Sequence, residues 1–192
     1  YGHVYMQNHI EMTKNKISAI SYSLKMVKKL LPKQTMKTLY EALIQPHIEY
    51  GITIWGGTYE THVNKLSLMQ KRIIRNITNS KYNEHTDPLF KRLGVLKVNQ
   101  LYKLKMSKFM FKVSKNEMPK PINNLYKSNT SIHGYETRQR NHPHISYRRT
   151  HLASKQINHK GPEIWQEIPY HIKLSNNIRH LTKTYKKYLL CN

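Results

Sequence analysis

The side chains that could do chemistry are unevenly supplied in this chain. Lys and Arg number 33 against ten acidic residues, and only Asp87 among the acids is an aspartate; the formal net charge is +23 over 192 residues. Enzymes that cut or build nucleic acid with two metal ions hold those ions with clustered carboxylates. No pair of aspartates exists here to do so. His142 and His144 flank Pro143, but no Cys, Asp or Glu stands beside them to close a tetrahedral metal site. The single Cys191, next to the C-terminus, offers neither a disulfide framework nor a Cys-based zinc site. Gly56-Gly57 lacks the Lys-Ser/Thr that follows a phosphate-cradling loop. What remains is binding. A charge excess of this size points to a polyanionic partner.

The cations fall into two groups. In a polar stretch, Arg138, Arg140, Arg148 and Arg149 are interleaved with Tyr135, His142, His144 and Tyr147. Arg clamps phosphate through a planar fork, and Tyr or His stacks on unpaired bases. A solvated linker would have the same composition, so both readings stand. The second group, Lys25, Lys28, Lys29, Lys71, Arg72 and Arg75, lies on segments with helical periodicity. Such runs are commonly the wet face of a helix, but few acids are present to balance them. These ten residues are the candidate nucleic-acid contacts. The 14 Tyr greatly outnumber the three Phe and two Trp, which suits half-wet interfaces as well as helix edges.

Helices must position these groups. Ile10, Ile17, Ile20, Leu24, Val27 and Leu31 form one apolar stripe on a helix predicted to end at Pro32. Met36, Leu39, Tyr40, Leu43 and Ile44 repeat the spacing until Pro46. The stretch from Ile48 to Trp55 fits a helix closed by Gly56-Gly57, although its alternation also suits a short strand. A third long helix runs from about Thr61 to Ile77, with Val63, Leu66, Met69, Ile73 and Ile77 inward. Asp87 is the expected N-cap of a short helix, with Pro88 in its first turn and Gly94 at its end. Leu101 to Val113 is apolar nearly all round, as a central core helix would be. Beyond Met118 the chain turns polar. Pro119 and Pro121 break the helix, and a short strand near Ile145 to Arg149 is the only order expected before residue 160. A final helix, capped by Asn176 or Asn177, points Ile178, Leu181, Tyr185 and Leu189 inward. The fold class is mainly α: a small thumb-like helical bundle over residues 1–117, an irregular basic segment over 118–160 and a short helical extension over 161–192.

These residues also carry a resemblance. Lys16-Ile17-Ser18, Leu30-Leu31-Pro32, Leu39-Tyr40 and the run from Leu43 through Gln45-Pro46-His47 to Gly51 are similar to the region after the catalytic palm in LINE-type (non-LTR, jockey- or CR1-like) retrotransposon reverse transcriptases. So are Ile54-Trp55-Gly56, Leu68-Met69-Gln70-Lys71-Arg72 with Ile74-Arg75, Pro88-Leu89-Phe90 with Leu93, and Thr137-Arg138-Gln139. Arg148-Arg149-Thr150 and Gly161-Pro162-Glu163-Ile164-Trp165 with Ile168-Pro169 resemble the far C-terminal stretch of that family. The order is the same over nearly the whole chain, and one departure is Gln166, where the family often has Asn. The resemblance implies a thumb followed by a basic extension of an RNA-directed DNA polymerase. It places the metal-binding palm and the endonuclease before Tyr1, so the chain is expected to be a fragment without polymerase activity of its own.

The expected partners are RNA, DNA or an RNA–DNA hybrid, and the missing palm and endonuclease regions of the parent polypeptide. No cofactor is expected in this chain, magnesium belonging to the palm, and no membrane contact is expected. An intracellular setting fits the single cysteine, and the resemblance implies the nucleus. The alternative is a helical protein-interaction module, with an exposed apolar strip from Ile48 to Trp55, or a transposon relic without retained activity.

Overall fold

The computed structural model describes residues 2–132, 134–135, 140 and 142–191. Among them the chain is helical and no strand forms, so the fold is mainly α as the periodicity predicts. The chain divides into two compact units. One comprises the residues up to Tyr102 with the chain end from Tyr188; the other runs from Lys103 to Lys187. The division does not follow the change of composition at Met118. It falls inside a helix, because apolar residues on both sides of that point are drawn into separate cores.

The first unit opens with α1 (Gly2–Val27), followed by α2 (Lys33–Leu43), α3 (Gln45–Glu49), α4 (Ile52–Trp55), α5 (Glu60–Thr78) and α6 (Asp87–Leu93). α1 buries Ile10, Thr13, Ile17 and Leu24, spaced by threes, fours and sevens, and packs against α5. It stops at Val27, short of the predicted Pro32. Residues 28–30 form a turn instead, since Pro32 in extended conformation has to serve as the N-cap of α2. Met36, Tyr40 and Ile44 bury the inner face of α2, while Leu43 stays exposed. α2 ends at Leu43, just before Pro46 as expected, and Pro46 lies in the first turn of α3, which its locked φ suits.

The stretch from Ile48 to Trp55 is helical, and the expected exposed apolar strip does not exist. Ile48, Ile52 and Trp55 are buried, leaving only Tyr50 and Ile54 outside. The Trp55 indole donates to the Tyr50 carbonyl at 2.8 Å, so the buried ring keeps its polar atom satisfied. Gly56 follows at the end of α4, where a Cβ would lie 2.5 Å from the Tyr102 ring and 2.5 Å from the Ile52 carbonyl oxygen. Gly56→Ala should therefore destabilise the first unit by about 1–3 kcal/mol through overpacking. Chemical denaturation measures it, and an unchanged midpoint would show that the ring and backbone give way freely.

α5 buries Val63, Leu66, Ile73 and Ile77 as expected, and adds Ile74 and Gln70. Its C-cap, Asn79, is left-handed, φ 53°. Asp87 is not the N-cap of α6. Thr86 holds that position without a side-chain bond, and the Asp87 carboxylate turns instead to Lys97 at 2.9 Å. Gly94 ends α6 in the left-handed conformation, φ 65°, as its position predicts.

The second unit is built on α7 (Val98–Ser114), which begins in the first unit and buries Leu104, Met106, Ser107, Met110, Phe111 and Val113 beyond Lys103. Short helices follow: α8 (Lys120–Asn123), a 3-10 turn over Asn129–Ser131, α9 (His151–Ser154), α10 (Ile157–Glu167) and α11 (Tyr170–Lys173). Pro119 caps α8 and Pro121 sits in its first turn, so these prolines begin a helix as well as ending the region before it. The expected strand near Ile145 to Arg149 is absent. That segment carries no regular structure, and among the described residues a lone bridge joins Ser128 to Pro143. α10 carries Gly161 and Pro162 within it and buries Ile164 and Trp165. α12 (Ile178–Cys191) is capped by Asn177, whose Oδ1 accepts from the His180 amide at 2.8 Å, and buries Leu181 and Tyr185.

Candidate nucleic-acid interface

Three placements of basic residues matter, and each is fixed by local structure. The first is the end of α1. Lys25 lies in its last turn, where the helix dipole favours a cation. Lys28 and Lys29 occupy the turn that follows. None of the three takes part in an ion pair among the described residues.

The second is a cleft of about 470 Å³ alongside α5. Glu60, Asn64, Ser67, Lys71 and Arg75 recur at helical spacing on one face of α5 and form its wall. Gln70 forms its floor. This side chain is 1% exposed and makes three bonds: its Nε2 donates to the Tyr40 hydroxyl at 2.7 Å and to the Leu96 carbonyl at 2.9 Å, and its Oε1 accepts from the Val98 amide at 3.0 Å. Those bonds fix the backbone on both sides of Lys97. The Lys97 ammonium is thereby held against Asp87, and this hydrogen bond keeps the Asp87 carboxyl below the usual carboxylate range. Arg75 donates from Nε to the Glu84 carbonyl at 2.9 Å. The lining thus sets Lys71, Arg75 and Lys97 against Glu60, Glu84 and Asp87. The strong positive field expected around Lys71 and Arg75 is balanced locally, because folding brings three of the chain's few acids to the same place. Arg72, 100° round the helix, points away from this cleft into solvent. On another part of α5, Lys65 meets Glu11 of α1 at 3.2 Å, and Glu11 also meets Lys14 at 2.6 Å. The hydrogen bonds from Lys14 and then Lys65 hold the Glu11 carboxyl below its ordinary range.

The third placement is a cleft of about 310 Å³ in the second unit, lined by Asn124, Leu125, Lys127, Ile132, His144, Ser146, Arg148 and Asn158. Its walls are pinned by backbone bonds that cross-link 127–130 to 140–144: His144 N–H to Lys127 O at 2.8 Å, Asn129 N–H to His142 O at 3.0 Å, and Thr130 N–H to Arg140 O at 2.9 Å. Tyr126 anchors the first wall. Its ring meets Phe109 edge-on at 5.9 Å, its hydroxyl reaches the Ile157 carbonyl at 3.3 Å, and burial pushes its phenol up to about 12. No carboxylate lines this cleft among the described residues. Behind it, burial and then the nearby Lys173 hold His142 below the usual imidazole range, which favours its neutral form.

Of the ten candidate contacts, Lys71 and Arg75 share the α5 cleft, Arg148 lines the second cleft, and Lys25, Lys28 and Lys29 are neighbours at the end of α1. Arg72, Arg140 and Arg149 are exposed, and Arg138 lies outside the described residues. Sequence reasoning missed Lys97, Lys127, Ser146 and Asn158 as partners in the two clefts. No periodic signal marks them, since they are brought in by turns. Among the described residues no group of three or more His, Cys, Asp or Glu is placed to hold a metal ion, and no helix is long and apolar enough to cross a membrane. Comparison with protein-family models, with curated proteins and with solved structures finds no match.

Proposed function

We propose that this chain holds nucleic acid through its phosphate backbone, as a fragment resembling the thumb and C-terminal extension of a LINE-type reverse transcriptase. The template–primer duplex or its single strands would be the ligand, and the palm and endonuclease of the parent polypeptide would supply magnesium and all catalysis. The observation that carries this proposal is the uncompensated charge: Lys25, Lys28, Lys29, Arg72 and Arg149 enter no ion pair among the described residues of a +23 chain. Such side chains neutralise phosphates and release counterions without reading sequence. The site of action would be inside the cell, and by the resemblance in the nucleus. Binding of an RNA–DNA hybrid, followed as salt rises from about 50 to 200 mM, tests the proposal. Steep weakening and indifference to base sequence are expected; an affinity flat in salt would remove it.

A second function is favoured by one feature of α1. Tyr5, Met12 and Met26 are exposed at steps of seven or fourteen residues, so they share one outward stripe, with Tyr22 beside it. A stripe of this kind suits a protein partner, such as another part of the same polypeptide. Size-exclusion chromatography in high salt separates the two: a clean monomer disfavours a sticky protein-docking face, and oligomers that persist support it.

A further inference from the structure

Four cations outside the ten candidate contacts share the outward face of α12. Arg179, Lys183, Lys186 and Lys187 fall within an arc of about 100° on the helix. Leu181, Tyr185 and Leu189 lie on the opposite side and are buried. Arg179, Lys183 and Lys187 are exposed, and Lys186 is half-buried. From Arg179 to Lys187 the lane runs about 12 Å along the helix axis. The helix's own electrostatics oppose this arrangement. Arg179 lies in the first turn, where the dipole disfavours a cation, and α12 has no acid in that turn and no base in its last. Arg179 with Lys183, and Lys183 with Lys187, are like charges four residues apart, which weaken a helix.

No acid relieves them. α12 contains neither Asp nor Glu, and none of the four cations enters an ion pair among the described residues. Glu163 and Glu167, acids of the same unit, are held by Lys160 and Lys103 at 2.7 Å each. A row of cations that weakens its own helix and has no internal partner calls for an external polyanion. What else the face offers decides which one. A basic helix that lies on an anionic membrane inserts its apolar face; that face of α12 is buried. A protein partner is anchored by large aromatic or apolar side chains; the most exposed of these on α12, Tyr188, stands about 140° round the helix from Lys183. A single strand is held by rings that stack on its bases, and the lane has none. A duplex asks for cations along its backbone. Its phosphates recur about every 3.4 Å of axis on each strand, so the lane covers three or four of them.

We propose that the outward face of α12 lies along the phosphate backbone of a nucleic-acid duplex, held by Arg179, Lys183, Lys186 and Lys187. The proposal rests on the nucleic-acid-holding function and deepens it: it names a further contact surface and the double-stranded form of the ligand.

In the full chain the four residues are replaced together by Gln, and binding to a fluorescent RNA–DNA hybrid is followed between about 50 and 200 mM salt. The replacement should weaken the hybrid about tenfold at about 100 mM salt and flatten the log–log slope by roughly one to two units. A control chain with the exposed Lys33, Lys81, Lys112 and Lys120 replaced by Gln loses the same charge from scattered places. It should bind within about threefold of the parent. Lys183→Arg, Lys186→Arg and Lys187→Arg together keep the charge and should keep the affinity. The thermal melt of the Gln variant should be unchanged or raised, because like-charge pairs are removed. A single-stranded oligouridine of matched length should lose less affinity than the hybrid. Equal losses from the lane and the scattered control, a loss confined to oligouridine, or lane-dependent binding of phosphatidylserine vesicles in place of the hybrid overturns the proposal. A parent whose hybrid binding falls steeply with salt, matched by the lane variant, removes the lane and keeps the broader function; a parent that binds no nucleic acid removes both.

Discussion

Gln70→Ala should destabilise the first unit by about 3–6 kcal/mol, the largest effect expected of any single substitution outside the apolar core. The substitution orphans the Tyr40 hydroxyl, the Leu96 carbonyl and the Val98 amide together, all in a site where Gln70 itself is 1% exposed. Each buried group left unpaired costs about 1–3 kcal/mol. Domains are stable by only about 5–15 kcal/mol in total, so a cost of this size would take the unit close to unfolding. Tyr40→Phe provides the control. It removes one acceptor, yet Nε2 keeps the Leu96 carbonyl, and the cost should be near 1 kcal/mol. Gln70→Leu fills the volume without the bonds and should cost nearly as much as alanine. Urea unfolding measures all three. A leucine variant as stable as the parent would mean that the polar junction contributes shape and nothing more.

The second large effect is on binding. If about four phosphates are neutralised, the log–log salt slope is near −4, and affinity for an RNA–DNA hybrid falls some 200-fold between about 50 and 200 mM salt. Replacing Lys25, Lys28 and Lys29 by Gln should flatten the slope by two to three units, roughly one unit for each phosphate no longer neutralised. Replacing Lys71 and Arg75 should flatten it less, because Glu60, Glu84 and Asp87 already offset those cations in their cleft. Equal effects from the two sets would show that the local balance of charge does not govern binding. Thermal melts of both variants guard against unfolding. The α1 cluster ends a helix and makes no described ion pair, so its removal should leave the melt unchanged.

Much of the helical layout is legible because burial needs little beyond spacing. Ile10, Ile17 and Leu24, or Val63, Leu66, Ile73 and Ile77, can reach a common core only if their segments are helical. Helix ends are less legible where two signals compete. Asp87 looks like a cap, but a nearby ammonium from Lys97 draws the carboxylate away, and a hydrogen bond to a charged group outweighs one to a backbone amide. The Ile48–Trp55 stretch reads as an exposed strip only while α3 and α4 are unplaced; once Gly51 turns the chain, Ile48, Ile52 and Trp55 all face inward. The polar segment after Met118 carries little periodic signal because its order comes from scattered backbone bonds and caps.

The amino-acid sequence by itself determined the charge excess, the scarcity of carboxylates and the helical class, since these depend on composition and on a 3.6-residue period. Only the tertiary structure decided which cations are offset by nearby acids: one cleft gathers cations and acids together, and the other is lined, among the described residues, by cations alone. The reason is distance: Glu60, Glu84 and Asp87 meet Lys71 and Arg75 through folding, whereas Arg148 and Lys127 line a cleft to which no acid among the described residues is brought. Coulomb interactions depend on separation in space, and separation along the chain does not fix it.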